Sequence, residues 1–207
     1  MNPTAPTKKF QFIGGELCLD FCNTVGGKRG VTTREYLDSY ATLISWAEQA
    51  GLLNEPQAGA LARKAARRPT DAAALLSRAL GLREAIYQIC LAIVAGKRAP
   101  DADLAQLNSE LGRGLGRMRV VSQGTGFAWQ WPRDDGALDC PLGPIARSAA
   151  ELLTCGEAVE HVRQCQGDNC GWLFVDASKN HSRRWCDMRD CGNRAKIRRY
   201  RLKQRKV

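Results

Sequence analysis

The chain has 207 residues, 44% of them hydrophobic and 25% charged, the composition of a globular protein with enough apolar side chains to bury a core. Its longest nearly apolar stretch, residues 85–95, is interrupted by Gln88 and is too short to cross a bilayer, so a membrane protein is not expected. No apolar segment follows Lys8 and Lys9, so we see no secretory signal and expect a cytoplasmic protein.

The net charge of +10 is concentrated at one end of the chain. Residues 161–207 contain 13 Lys and Arg against 4 Asp and Glu, a net charge of +9, whereas residues 1–160 contain 18 basic and 17 acidic side chains. A basic segment joined to a neutral one indicates a polyanionic partner for the basic part. We therefore predict two domains, residues 1–160 and residues 161–207, the first with a core of its own.

Apolar residues recur every three or four positions through most of the first domain, which is typical of amphipathic helices. Thr32 or Thr33 is the predicted cap of the second helix, and Gly51 follows its end. Asn54 begins the third helix, and Gly96 ends the long fourth one. The predicted helices cover residues 16–25, 34–50, 54–68, 71–96 and 101–111.

A few strands and one more helix complete this domain. Short strands are predicted at residues 10–13, 117–122 and 126–131. The last two form a hairpin, and Trp129 and Trp131 are expected in the core. Pro141 precedes a helix that is expected to run to about Val162 and to lead directly into the terminal module. The fold class is thus mainly α with a small β-hairpin (α+β).

Nine cysteines require an explanation other than disulfides, which a reducing cytoplasm does not favour. Four of them form two C-x4-C pairs, Cys165 with Cys170 and Cys186 with Cys191. Two such pairs supply the four thiolates of a tetrahedral zinc site and leave no position for water, so we predict one structural Zn²⁺ per chain. The other five are interpreted as small buried hydrophobic residues: Cys18, Cys22, Cys90, Cys140 and Cys155.

The segments around the cysteine pairs favour one kind of zinc finger. Residues 171–176 are predicted as a strand, residues 177–180 as a turn and residues 182–185 as a second strand. From Gly192 onward the sequence favours a helix. A knuckle, a hairpin and a cysteine pair at the start of a helix predict a treble-clef-like zinc finger.

The C-terminal helix carries eight Lys and Arg within residues 194–206, with Ile197, Tyr200 and Leu202 expected to anchor one side. Such side chains bind phosphates, and arginine also binds guanine in the major groove. Arg194 is expected to lie beside the anionic zinc centre. A solvated basic tail is the alternative. The predicted nucleic-acid contacts are Arg183, Arg184, Arg194, Lys196, Arg198, Arg199, Arg201 and Lys203.

Three polar residues, Asp20, Asn23 and Thr24, share one face of the first predicted helix among apolar neighbours. They would either line the edge of a small-molecule pocket or make hydrogen bonds at the helix end. The second interpretation is favoured, and the first stays open.

Residues 185–194, WCDMRDCGNR, contain the signature C-G-N-R. With Cys165, Cys170 and the segments between the pairs, residues 160–203 resemble the CGNR zinc-finger family of bacterial proteins. In that family the N-terminal part is the ABATE domain, described as a stress-induced transcription regulator, and residues 14–24, GGELCLDFCNT, resemble its opening signature. The resemblance implies a treble-clef DNA-binding end and a regulatory or ligand-sensing front end.

Taken together, the sequence favours a DNA-binding transcription regulator that senses an unidentified small molecule or stress signal. No enzyme is expected, because the two histidines, His161 and His181, lack a nuclease pattern and no phosphate-binding loop is found. An RNA-binding or ribosome-associated zinc protein is less favoured, and a zinc-thiolate redox or protein-interaction module is a further alternative. A homodimer on a two-fold site would add base contacts, and the sequence leaves the oligomeric state open.

Overall fold

The computed structural model describes residues 9–131, 137–154 and 156–204, and within these ranges the fold is mostly helical with three two-stranded antiparallel sheets. The helices are α1 (Leu17–Cys22), α2 (Tyr40–Gln49), α3 (Glu55–Arg67), α4 (Pro69–Val94), α5 (Asp101–Leu115), α6 (Leu142–Thr154) and α7 (Asn193–Gln204). The strands are β1 (Val25–Gly26), β2 (Arg34–Glu35), β3 (Arg119–Gln123), β4 (Gly126–Gln130), β5 (Val162–Gln164) and β6 (Leu173–Val175). The predicted helical fold with a small hairpin is confirmed.

Local hydrogen bonds decide where the helices begin. The Ser39 hydroxyl accepts from the Thr42 amide at 3.2 Å, and the Thr42 hydroxyl accepts from the Ser39 amide at 3.0 Å, so α2 begins after Ser39. The predicted start at residue 34 is wrong, because residues 34–35 pair with β1 instead. Asn54 and Gln57 make the same reciprocal bonds at the start of α3, as the sequence predicts for Asn54.

The core is built around α4, which packs against α1, α2, α3, α5 and α6. Trp46 of α2 is fully buried and packs against Phe21 of α1, with 5.0 Å between ring centroids. Burial of such apolar surface contributes about 25 cal/mol per Å² and is the main stabilising contribution. None of the helices within the described ranges combines the length and hydropathy needed to cross a lipid bilayer.

Three of the five scattered cysteines are buried, as the sequence predicts. Cys18, Cys22 and Cys90 are buried, and burial raises the pKa of Cys90 to about 12, so it stays a neutral thiol. Cys140 is half-buried. Cys155 lies outside the described residues.

The β3–β4 hairpin forms as predicted but faces solvent rather than the core. The side chain of Phe127 is 80% exposed and that of Trp129 is 61% exposed, so the predicted core position of Trp129 is wrong. Trp131, just after β4, is half-buried against Gly114 and Gly143, where an added Cβ would lie 2.6 Å from the ring at Gly143.

The connection from α6 to the first cysteine differs from the prediction. The predicted helix to residue 162 is wrong: α6 ends at Thr154, and Gly156, with φ of 92°, turns the chain into a 3₁₀ helix at Glu157–His161. A left-handed φ of this kind favours glycine. Strand β5 follows and pairs with β6, in the register Val162 to Val175.

Two other strand predictions are also wrong. Residues 10–13 are irregular, and residues 182–185 form no strand. Strand β6 takes β5 as its partner instead, so the hairpin of the C-terminal unit encloses the first cysteine pair rather than following it.

The C-terminal unit, from β5 onward, packs on the helical unit through α1 and α4. Val162 and Leu173 are buried in the main core. The Asn23 amide donates to the Leu173 carbonyl at 2.8 Å and accepts from the Leu173 amide at 2.9 Å. The two units therefore share part of one core.

A chain ending at residue 160 should retain its helices, in line with the predicted division, but be less stable. It loses the packing of Leu173 and both partners of the Asn23 side chain, which should lower the free energy of unfolding by at least about 3 kcal/mol. Urea unfolding followed by helical circular dichroism measures this. A truncated chain that is unfolded would overturn the predicted division.

Candidate metal centre and nucleic-acid interface

The four paired cysteines converge on one point, with all four sulfur atoms within 4.8 Å of one another. The Sγ atoms of Cys170 and Cys186 are 3.7 Å apart, and those of Cys186 and Cys191 are 3.6 Å apart. Two sulfurs on one tetrahedral zinc ion, at a Zn–S distance of about 2.3 Å, lie about 3.8 Å from each other. The spacing of these thiols therefore fits a single bound Zn²⁺.

Backbone hydrogen bonds hold the first cysteine pair in a tight knuckle. The Cys165 amide donates to the Trp172 carbonyl at 2.8 Å, and the Cys170 amide donates to the Gly167 carbonyl at 3.1 Å. A Cβ added at Gly167 would lie 3.1 Å from the Cys191 sulfur, so a glycine suits this close approach. The Cys186 amide donates to the Cys165 sulfur at 3.3 Å, which joins the two pairs.

The pKa values show why this cluster suits a cation. Hydrogen bonds from Cys170 and Cys186 hold the pKa of Cys165 far below its usual range. Hydrogen bonding to Cys165 raises the pKa of Cys170 to about 12, and the pKa of Cys186 also rises well above its usual value. Ionisation of one sulfur thus makes ionisation of its neighbours less favourable, and four adjacent thiolates require a cation. A bound Zn²⁺ would supply that charge and the folding energy of the unit.

Arg183 was predicted to contact nucleic acid, but its guanidinium is used inside the protein. It donates to the carbonyls of Trp185 at 3.0 Å and Ile13 at 3.3 Å and to the Cys186 carbonyl, and it lies 4.2 Å from the centroid of the Phe174 ring. The Arg183 guanidinium thus serves the packing of the zinc unit, and its contact with nucleic acid stays a prediction.

Three other predicted contacts also have partners within the protein. Arg184 donates to the Gln166 side chain at 2.7 Å. Arg194 bonds to Asp190 at 2.7 Å and donates to the Cys191 sulfur at 3.5 Å, which places it beside the metal centre as expected. Arg198 forms an ion pair with Asp168 in the first knuckle, a contact that the sequence analysis missed.

The remaining predicted cations on α7 are exposed. Lys196, Arg199 and Arg201 have no hydrogen-bond or ion-pair partner among the described residues. The side chain of Lys203 lies outside what is described. Ile197, Tyr200 and Leu202 are 44%, 64% and 52% exposed, so the prediction that they anchor the helix is wrong. The metal centre and the Arg198 ion pair hold α7 instead.

A groove of about 680 Å³ lies where α7 begins. Lys196 and Arg199 line it, three residues apart on one helix face. Trp185, Met188 and Arg189 also line it, and the side chain of Arg189 is 94% exposed. The sequence analysis did not predict a nucleic-acid contact for these last three, although Trp185 directly precedes a predicted zinc ligand. The groove combines exposed positive charge with an apolar floor.

The polar cluster at the end of α1 makes structural hydrogen bonds, as favoured from the sequence. Asp20 accepts from the Gly14 amide at 2.7 Å, Asn23 holds Leu173, and the Thr24 hydroxyl donates to the Phe21 carbonyl at 2.7 Å. All three also line a cavity of about 280 Å³, so both interpretations of the cluster retain support.

We expect the purified protein to contain one zinc ion per chain, and Cys186→Ser to lose it. Without the metal the C-terminal unit should unfold, because it is too small for a core of its own, while α1–α6 remain folded. Elemental analysis and circular dichroism measure the two effects. Cys140→Ser, outside the cluster, is the matched control. Full zinc content in Cys186→Ser would contradict the assignment.

Asp20 gives a pH prediction, because burial raises its pKa from 3.8 to about 6. A raised carboxyl pKa stabilises the folded state at low pH, and this contribution disappears as the pH rises through 6. Between pH 5 and pH 7.5 the loss should be about 1.4 kcal/mol. Asp20→Asn should remove this part of the pH dependence in urea unfolding, whereas the exposed Glu48→Gln should keep it. Identical pH profiles for Asp20→Asn and wild type would contradict the assignment.

Comparison with known proteins supports both resemblances, in the predicted order. Residues 161–204 match the family model of the CGNR zinc finger. Residues 15–156 match the model of ABATE, described as "Putative stress-induced transcription regulator". No curated protein matches the chain. The ABATE match covers more than half of the sequence, and the four converging cysteines lie within the zinc-finger match. The chain therefore belongs to the ABATE family and ends in a CGNR zinc finger.

Proposed function

We propose that this chain is a DNA-binding transcription regulator of the cytoplasm, in which a treble-clef-like zinc finger contacts DNA and the helical unit senses a small molecule or stress signal. The observation that carries the proposal is the groove at the start of α7. There Lys196 and Arg199 leave their charges without partners among the described residues, beside a metal centre that fixes the helix. Arg189 is paired with Asp187 at 3.6 Å, but its side chain is 94% exposed and remains accessible to a phosphate.

The dimensions of α7 suit duplex DNA. Its 12 residues span about 18 Å, and a major groove about 12 Å wide admits one helix. Exposed lysine and arginine bind phosphates and release counterions, which supplies affinity for any sequence. Arginine can in addition contact guanine edges, which supplies preference.

The same site argues for binding rather than catalysis. Four cysteine ligands complete the tetrahedral shell of a zinc ion and leave no position for a reacting water. We therefore propose that the zinc finger has no enzymatic role.

The double variant Lys196→Ala with Arg199→Ala should bind duplex DNA more weakly and with a shallower salt dependence. If four exposed cations contact phosphates, log K should fall with log salt at a slope of about −4, and removing two should change the slope to about −2. Titration of a fluorescent duplex at several salt concentrations measures both values.

The matched control is Lys97→Ala with Arg98→Ala, which removes the same charge from an exposed loop of the helical unit. It should keep the wild-type slope. An unchanged slope in the α7 variant would mean that the helix is a solvated basic tail. Tighter binding to structured RNA than to duplex DNA at one salt concentration would favour the RNA-binding alternative.

A further inference from the structure

A cavity of about 280 Å³ lies in the helical unit, at its boundary with the zinc unit. Its walls come from residues 9–11, from α1 and the residues after it, from β2 and the residue after it, and from α2. Trp172, which directly precedes β6, is the lining residue from the zinc unit. No part of the metal centre or the α7 groove lines it. The cavity is therefore a separate site.

Most polar groups of the cavity already have partners. Asp20 accepts from Gly14, both ends of the Asn23 amide bond to Leu173, and the Thr24 hydroxyl accepts from Arg83 at 3.2 Å. These groups shape the cavity but have few hydrogen bonds to offer a ligand.

The lining groups that remain available to a ligand are a hydrogen-bond donor and two cations. The indole N–H of Trp46 is buried and has no acceptor among the described residues, which is uncommon for a buried donor. Lys9 and Arg34 line the same cavity, and neither has an ion-pair partner in the described part of the chain. The guanidinium of Arg34 lies 5.4 Å from the Tyr36 ring centroid. Unused donors and two positive charges favour an anionic ligand rich in acceptors.

The apolar part of the lining is aromatic, and it includes Tyr36, Trp46 and Trp172. Flat side chains of this kind suit a planar ring. A volume just below the usual range for ligand pockets, about 300–1,000 Å³, limits the ligand to roughly the size of an amino acid. We propose that the cavity binds a small aromatic carboxylate, with its ring between the aromatic walls and its carboxylate towards Arg34 and Lys9.

Binding at this position would act directly on the docking of the zinc unit. Trp172 donates to the Val25 carbonyl at 2.7 Å, and its own carbonyl accepts from Cys165, a zinc ligand. Asn23 holds Leu173 from the other side of the boundary. A ligand that contacts both walls favours the docked arrangement, because it binds that arrangement better than a separated one. This regulatory step rests on the proposed DNA binding, whereas the ligand site does not.

The first experiment is calorimetric titration of the full zinc-loaded protein with three aromatic carboxylates: benzoate, 4-hydroxyphenylacetate and indole-3-acetate. Indole-3-acetamide and tryptamine, which keep the indole ring, test the role of the negative charge. At least one carboxylate should bind, and at least tenfold more tightly than the amide and the amine. Absence of binding by all three carboxylates, or equal binding of acid, amide and amine, would overturn the proposal.

Two variants with opposite expected effects distinguish a change in carboxylate binding from a general loss of folding. Arg34→Ala should weaken carboxylate binding about tenfold, since it removes a charged donor. Asp20→Asn should strengthen it severalfold at pH 7.5, because it removes the one negative charge of the lining and can keep the bond from Gly14. Arg98→Ala, exposed and outside the lining, should leave affinity unchanged. A loss of binding in Asp20→Asn, or none in Arg34→Ala, would contradict the assignment.

The coupling is tested with whichever carboxylate binds. Hydrogen exchange of the Leu173 amide should slow when the cavity is filled, and the affinity for duplex DNA should change at least fivefold. Unchanged exchange and unchanged DNA affinity would overturn the coupling. A protein that binds the carboxylate but no DNA would instead refute the proposed function and leave the ligand site intact.

Discussion

Mutual repulsion among four thiolates is the constraint on which the C-terminal unit depends. Their sulfur atoms lie within 4.8 Å of one another, so four negative charges at this spacing require a cation. A bound Zn²⁺ fixes both cysteine pairs at once. The first pair connects β5 to β6, which pack on the helical unit, and the second pair begins α7. One ion therefore connects the core of the protein to its basic surface.

The features that could be predicted from the sequence are those encoded locally. The spacing of the cysteine pairs predicts the metal cluster because ligand geometry is set within a few residues. Helical periodicity predicts α2 to α5 because each helix carries its own apolar face. The predicted start of α2 is wrong because Thr33 and Ser39 are both suitable helix caps, and the sequence does not distinguish them. Residues 34–35 pair with β1, so the helix begins after Ser39.

The features that could not be predicted depend on distant contacts. The positive charge of the last 47 residues is evident from the sequence. The sequence does not show which of the arginines have partners within the protein. Arg198 is paired with Asp168, 30 positions earlier, and Arg183 bonds to Ile13. Trp129 follows the pattern of a core strand, yet its side chain is largely exposed. Such outcomes are decided by the tertiary arrangement rather than by local pattern.

The two hydrogen bonds of the Asn23 side chain limit which zinc fingers can follow this helical unit. It donates and accepts on the same backbone residue, so it acts as a short strand beside β6. An aspartate at this position could accept but not donate, and its charge would face the Leu173 carbonyl. A leucine of similar volume could do neither. Any zinc finger exchanged into this chain must therefore present an extended backbone opposite Asn23, where Leu173 now lies. A zinc finger with a different fold could not dock here merely because the linker before it had the right length.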